Sequence, residues 1–123
     1  GSWEIGVVII PALGFPASVI VGEQTNARVD DVMNDLRRAH NLGIITKTSA
    51  LKKALTTLRN NEFVALLADQ DARKGGIVVD FLGRPASTVR GPALFAIRAR
   101  CPVIPLTVHR EGNRHRAVFA PPL

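Results

Sequence analysis

Between residues 17 and 110 the chain alternates short β-rich runs with stretches of helical period, and this alternation narrows the possible folds more than any other feature. "ASVIVG" (17–22) reads as a buried strand. Over 26–43, Val29, Val32, Met33 and Leu36 recur at i, i+3, i+4 and i+7, which predicts an amphipathic helix. Asn26 is placed to cap its start and Gly43 to stop its end. "IITK" (44–47) predicts a strand, and 48–61 a second helix on Leu51, Ala54, Leu55 and Leu58, capped by Ser49. Strands follow over 63–68 and 76–83, a helix over 87–100 with Pro92 in its first turns, and strands over 102–110 and 116–120. Strand and helix in alternation mean βαβ units, hence an α/β fold with a mostly parallel β-sheet flanked by helices. Apolar runs without polar interruption fit strands buried on both faces. In such sheets ligands gather beyond the carboxyl ends of strands. Asp69, Gln70 and Asp71 stand there, and so do His109 and Arg110.

With 46% hydrophobic residues in 123, the chain can build a core, and disorder is excluded. Cys101 is the single cysteine, so no internal disulfide forms and a reducing compartment is the simplest setting. The net charge of +6 favours anionic partners. With no Tyr, one Trp and five Phe, the chain lacks the stacking platforms of single-strand binders, and nucleic acid is not expected as a partner. The longest apolar run, "IGVVIIPALG", is interrupted by Pro11 and falls short of a membrane span of about 20 residues.

The chemistry-bearing residues are few. "LLADQDARKGG" sets two carboxylates around a Gln after a buried strand. Asp69 and Asp71 could hold a divalent cation, supply a nucleophile to phosphoryl transfer, or anchor loop amides; the residues leave all three open. None of His40, His109 and His115 is followed by an acid five positions on, and no Gly-x-Ser-x-Gly elbow is present. Arg37 and Arg38 differ by about 100° of helix rotation, so one can face the sheet and the other water.

In order and spacing the motifs resemble the lipid A biosynthesis (late or secondary) acyltransferase family over essentially the whole chain. "GSWE" (1–4) matches the last four positions of that family's His-x-Gly-Asn/Ser-Trp-Glu, and Gly14-Phe15-Pro16 its Gly-x-Pro. Asn26 followed by Arg37 matches its Asn and the Arg eleven residues later. "LLADQD" resembles its Asp-Gln motif, and 79–110 its segment running from Phe-Phe-Gly to a final Arg. Three positions depart from the pattern. Gly22 stands where many members carry Arg or Lys, Leu82 replaces the second Phe, and Pro11 lies in a segment that is helical in the family. Over 5–14 the β-branched residues favour a strand. The resemblance implies instead a helix from near Trp3, kinked at Pro11, and that reading is adopted.

The resemblance implies a glycerolipid-acyltransferase-like fold and transfer of a fatty acyl chain from acyl carrier protein to a hydroxyl of a lipid A precursor or other glycolipid. Glu4 is the implied catalytic partner of a histidine two positions ahead of Gly1, with Gly1-Ser2 read as native sequence. Asn26, Arg37, Asp69 and Gln70 would shape the substrate site, with Thr88 and Arg110 as further substrate-binding candidates. No metal or cofactor is called for. The chain is then a single partial domain, 1–123, lacking that histidine and the N-terminal anchor, and inactive by itself. Its parent would work at an anionic membrane surface on the cytoplasmic face of the bacterial inner membrane, the fragment itself being soluble. A metal-dependent transferase or phosphohydrolase using Asp69 and Asp71, and a non-catalytic lipid- or phosphate-binding module, are the alternatives.

Overall fold

The computed structural model describes residues 3–22 and 24–123. Its elements are α1 (Trp3–Ala12), β1 (Ala17–Val21), α2 (Ala27–Ala39), β2 (Leu42–Thr46), α3 (Ala50–Arg59), β3 (Phe63–Ala65), β4 (Ile77–Phe81), β5 (Arg84–Thr88), α4 (Gly91–Ala99), β6 (Leu106–Glu111) and β7 (Arg114–Phe119). The fold is mixed α/β.

The centre is a three-stranded parallel sheet in the order β2-β1-β3, with Val19 paired to Ile44 on one side and Ala65 on the other. Successive side chains of a strand point to opposite faces, and β1 uses both. Ala17 and Val19 pack with Leu42 against Val7 and Ile10 of α1. Ile20 turns the other way, into the cluster of Ile45, Ala54 of α3 and Phe95 of α4. The expectation of a strand buried on both faces holds here.

The remaining strands correct the expected sheet. Four of them form two antiparallel hairpins, β4-β5 and β6-β7, so the fold is only in part a parallel one. The reason lies in the connections. Phe81 pairs with Arg84 and Glu111 with Arg114, leaving two-residue turns at Leu82-Gly83 and Gly112-Asn113. A parallel partner needs a crossover of a dozen residues or more. Strand β5 takes the start of the helix expected over 87–100, which begins instead at Gly91, with Pro92 in its first turn as expected. The strand expected from 102 begins at Leu106, since Pro102 and Pro105 have no N–H to give a ladder.

Helix α1 runs from Trp3 to Ala12 in spite of its β-branched residues. Its buried face, Gly6, Val7 and Ile10, docks on the sheet, and this tertiary burial outweighs propensity. Pro11 sits in the last turn, so it closes the helix rather than kinking it midway. At Gly6 a Cβ would come within 2.7 Å of Val108 Cγ2, so glycine allows α1 to lie close on β6. Helix α2 ends before the residue expected to stop it. Asn41 takes the left-handed conformation (φ +57°), and Gly43 lies inside β2, where a Cβ would collide with Ser18. Ser49 makes no capping bond to α3; its hydroxyl bonds to Thr46 instead.

Val19 is fully buried, and Val78 is 73% exposed. Val19→Ala is expected to lower unfolding free energy in urea by about 2 kcal/mol, from two lost methyl equivalents plus the cavity left behind. Val78→Ala should change it by less than about 0.5 kcal/mol.

Candidate active site

Helices α1 and α2 meet at an ion pair. Glu4 lies in the first turn of α1 and Arg37 in the last turn of α2, 33 residues apart. Arg37 Nη2 donates to Glu4 Oε1 at 2.6 Å and Nε to Oε2 at 3.4 Å, so both carboxylate oxygens are engaged by the planar fork. Arg37 is 4% exposed, whereas the Glu4 side chain keeps 23%. The Arg37 guanidinium carbon also lies 5.7 Å from the centre of the Trp3 ring, within cation–π range. Arg38, one residue on, is exposed and pairs with Asp35, as the helix rotation requires.

The third arm of the guanidinium is also satisfied. Arg37 Nη1 donates to Asn34 Oδ1 at 2.8 Å, and Asn34 Nδ2 donates to Asp30 Oδ2 at 2.9 Å. Asp30 Oδ1 accepts the Gln24 amide at 3.0 Å. Asp30, Asn34 and Arg37 follow one another at i, i+4 and i+7, so one helix face carries a polar chain of bonds inward. This reverses the orientation expected of α2. Three of the four residues of its apolar stripe face outward, with Val29, Val32 and Leu36 48%, 59% and 53% exposed, while Met33 is half-buried. The physical cause is the cation. A buried guanidinium without partners costs far more than a few exposed aliphatic side chains.

Beside the pair lies an apolar cavity of about 810 Å³. Trp3, Gly6, Val7 and Ile10 of α1 form one wall; Phe95, Leu106 and Val108 are among the rest. Cys101, half-buried, lines it too. Asp69, exposed in the loop after β3, stands on its rim.

The other residues singled out in the sequence are more scattered. Asn26 caps α2: its side chain accepts the Arg28 amide, and its carbonyl accepts the Asp30 amide, which ties it to the far end of the chain of bonds. Gln70 is exposed and does not line the cavity. The Thr88 hydroxyl bonds to the Ala86 carbonyl, and Arg110 Nε to the Gly112 carbonyl in the β6-β7 turn, so neither reaches Glu4. Asp71 Oδ1 accepts the Arg73 amide of its own loop. Among the described residues no group of three or more His, Cys, Asp or Glu is arranged to hold a metal. Gly1 and Ser2 lie outside the described residues, as does Glu23. Gly22, where the resemblance expects a cation, packs under Lys47, whose Nζ lies 3.3 Å from where a Cβ would stand. Asp30 and Asn34 escaped the sequence reading. Their spacing from Arg37 was the available signal.

The buried arginine is thus clamped on a carboxylate, with Trp3 between the pair and the apolar cavity it helps to line. The sequence profile of the bacterial lipid A biosynthesis acyltransferases matches residues 1–123, and the chain belongs to that family. It is also similar to the phosphatidylinositol mannoside acyltransferases of two Mycobacterium tuberculosis strains. With each it shares 38% identity over 56 residues, 46% of this chain and 18% of the relative's length.

Glu4→Ala leaves Arg37 buried without its counter-charge. It is expected to cost about 2–3 kcal/mol in urea unfolding, below the full range for buried pairs because Glu4 keeps some solvent contact. Adding Arg37→Met to Glu4→Ala should recover part of that loss, since no buried charge is then left alone.

Proposed function

We propose that this chain carries the acyl-transfer centre of an enzyme that moves a fatty acyl chain from acyl carrier protein to a hydroxyl of a glycolipid such as a lipid A precursor. The observation that carries this reading is the Glu4–Arg37 pair beside the apolar cavity, in a chain that belongs to an acyltransferase family. A cavity of about 810 Å³ is within the range typical of ligand sites. It would take the aliphatic chain, leaving the thioester near α1.

The chemistry follows from the carboxylate. A hydroxyl oxygen attacks the thioester carbon and its proton passes to a base. The carbon–sulfur bond breaks as the ester bond forms, and the proton ends on the departing thiolate. An imidazole is the suitable base near neutral pH. The base in this reading is the histidine five positions before Glu4 in the family's pattern. Glu4 orients it and stabilises its charged form, with the substrate supplying the nucleophile that a serine supplies in a hydrolase triad. A carboxylate has about four acceptor positions, and Arg37 takes two. The exposed remainder is free to receive an imidazole N–H. Arg37 thereby fixes the carboxylate's rotamer, and Asn34 and Asp30 fix Arg37.

The mycobacterial resemblance favours a second acceptor within the same reaction, a mannosylated phosphatidylinositol. The two are separated by offering each acceptor with acyl-loaded carrier protein to the gene product that contains this chain. Glu4→Gln in that protein is expected to lower kcat by about 10²–10⁴, as loss of an oriented general base does, while leaving KM for the acyl donor within a few-fold. The 123-residue chain by itself is expected to transfer no acyl group. Unchanged turnover in Glu4→Gln would remove Glu4 from the mechanism.

A further inference from the structure

The β4-β5 hairpin contributes nothing to the cavity or to the Glu4–Arg37 pair, yet it carries Leu82, the most exposed large apolar side chain among the described residues, with Val78 and Phe81 also exposed. Leu82 is 88% exposed, Val78 73% and Phe81 65%. Residues 78 and 81 fall on opposite faces of the strand, and Leu82 forms the end of the turn. At the tip itself the apolar groups are Phe81, on one face, and Leu82, at the point; the other face carries Asp80 beside the turn.

Leu82 is also an unfavourable choice for its place. Both turn residues have positive φ, +53° at Leu82 and +75° at Gly83, as a type I′ turn requires. Asn or Asp is preferred at the first position, and leucine is strained there. The turn is held shut by the Gly83 amide donating to Asp80 Oδ1 at 3.0 Å. An exposed, strained leucine at a closed tip makes sense where something else surrounds it.

One cation borders this tip, and others lie at the hairpin's base. Arg84 lies directly opposite Phe81 in the ladder. Arg73 and Lys74 lie at the hairpin's base, where Ser87 Oγ donates to the Arg73 carbonyl at 2.6 Å and the Ala72 amide donates to the Ser87 carbonyl. With Arg90 they make four cations against Asp71 and Asp80 over residues 71–90.

We propose that the β4-β5 tip is a membrane wedge: Phe81 and Leu82 enter the surface of an anionic phospholipid bilayer, and Arg84 meets its phosphates. The apolar end formed by Phe81 and Leu82 suits shallow insertion, and Arg84 beside it complements anionic headgroups. The proposal deepens the reading above, in which the acceptor is a lipid. Its test reads binding rather than turnover, so the two can fail separately.

The experiment is co-sedimentation of the 123-residue chain with phosphatidylcholine vesicles, with and without phosphatidylglycerol. Wild type is expected to bind the anionic vesicles and to bind the neutral ones weakly. Leu82→Asn suits the turn better, so its thermal midpoint should be unchanged or higher, while its binding to anionic vesicles falls about tenfold. Phe81→Thr, which keeps strand propensity, should weaken binding similarly. Arg84→Gln should weaken it by about fivefold on anionic vesicles only. Equal binding by Leu82→Asn and wild type overturns the wedge, including the case in which Arg84→Gln alone has an effect. Wild-type failure to bind anionic vesicles overturns it as well. So does loss of a self-associated species in Leu82→Asn with vesicle binding intact, which would make the tip a contact between copies.

Discussion

The pairing of Glu4 with Arg37 governs how α1 and α2 meet. A guanidinium at 4% exposure needs a partner for each of its nitrogens, and here each has one. Two contacts go to Glu4, one to Asn34, and the Trp3 ring lies alongside. Meeting those demands fixes the rotation of α2 about its own axis. The polar stripe of Asp30, Asn34 and Arg37 turns inward, and Val29, Val32 and Leu36 turn to solvent. Ordinary amphipathic burial would have rotated the helix the other way. One buried cation outweighs that preference because the penalty for an unpaired charge is several times the gain from half-burying an aliphatic side chain.

The pair in turn depends on the sheet. Glu4 can meet Arg37 only because Val7 and Ile10, one and two turns further along α1, are seated against Ala17, Val19 and Leu42. Gly6 lets the helix settle close on Val108 of β6. The same contacts form a wall of the apolar cavity. Core packing, cavity shape and carboxylate position are thus set by one helix face. A change in that face would move all three together.

The parts of the fold that were legible in the sequence are those where local pattern and tertiary burial agree. Strand β1, the Asn26 cap, Pro92 at the start of α4 and the divergence of Arg37 from Arg38 follow from periodicity and turn chemistry alone. Where the two disagree, the pattern misled. The β-branched run of α1 reads as a strand until its docking surface is known, and only the motif resemblance pointed to a helix. Strand β5 was hidden because Pro85 and the small residues of "RPAST" carry little strand signal. Its pairing with β4 depends on a Leu-Gly turn that propensity does not favour. Of the site, Glu4 and Arg37 were named and are in contact, whereas Asn34 and Asp30 were overlooked. Polar residues at helical spacing fit a solvated face and an inward network equally well, so the spacing alone does not single them out.

Exceptions to local rules are informative because a folded chain is otherwise consistent across levels. Two stand out here, and they differ in kind. The outward apolar stripe of α2 is a by-product: the buried network on the opposite face accounts for it, and no further cause is needed. Leu82 has no such account. Nothing in the hairpin requires leucine at a left-handed position, and an asparagine there would relieve the strain and remove an exposed apolar side chain at once. A residue that is locally worse on both counts cannot be explained by the stability of the element it belongs to. Its explanation must lie in what the tip touches, which is why the hairpin, rather than the larger apolar face of α2, carries the inference about a lipid surface.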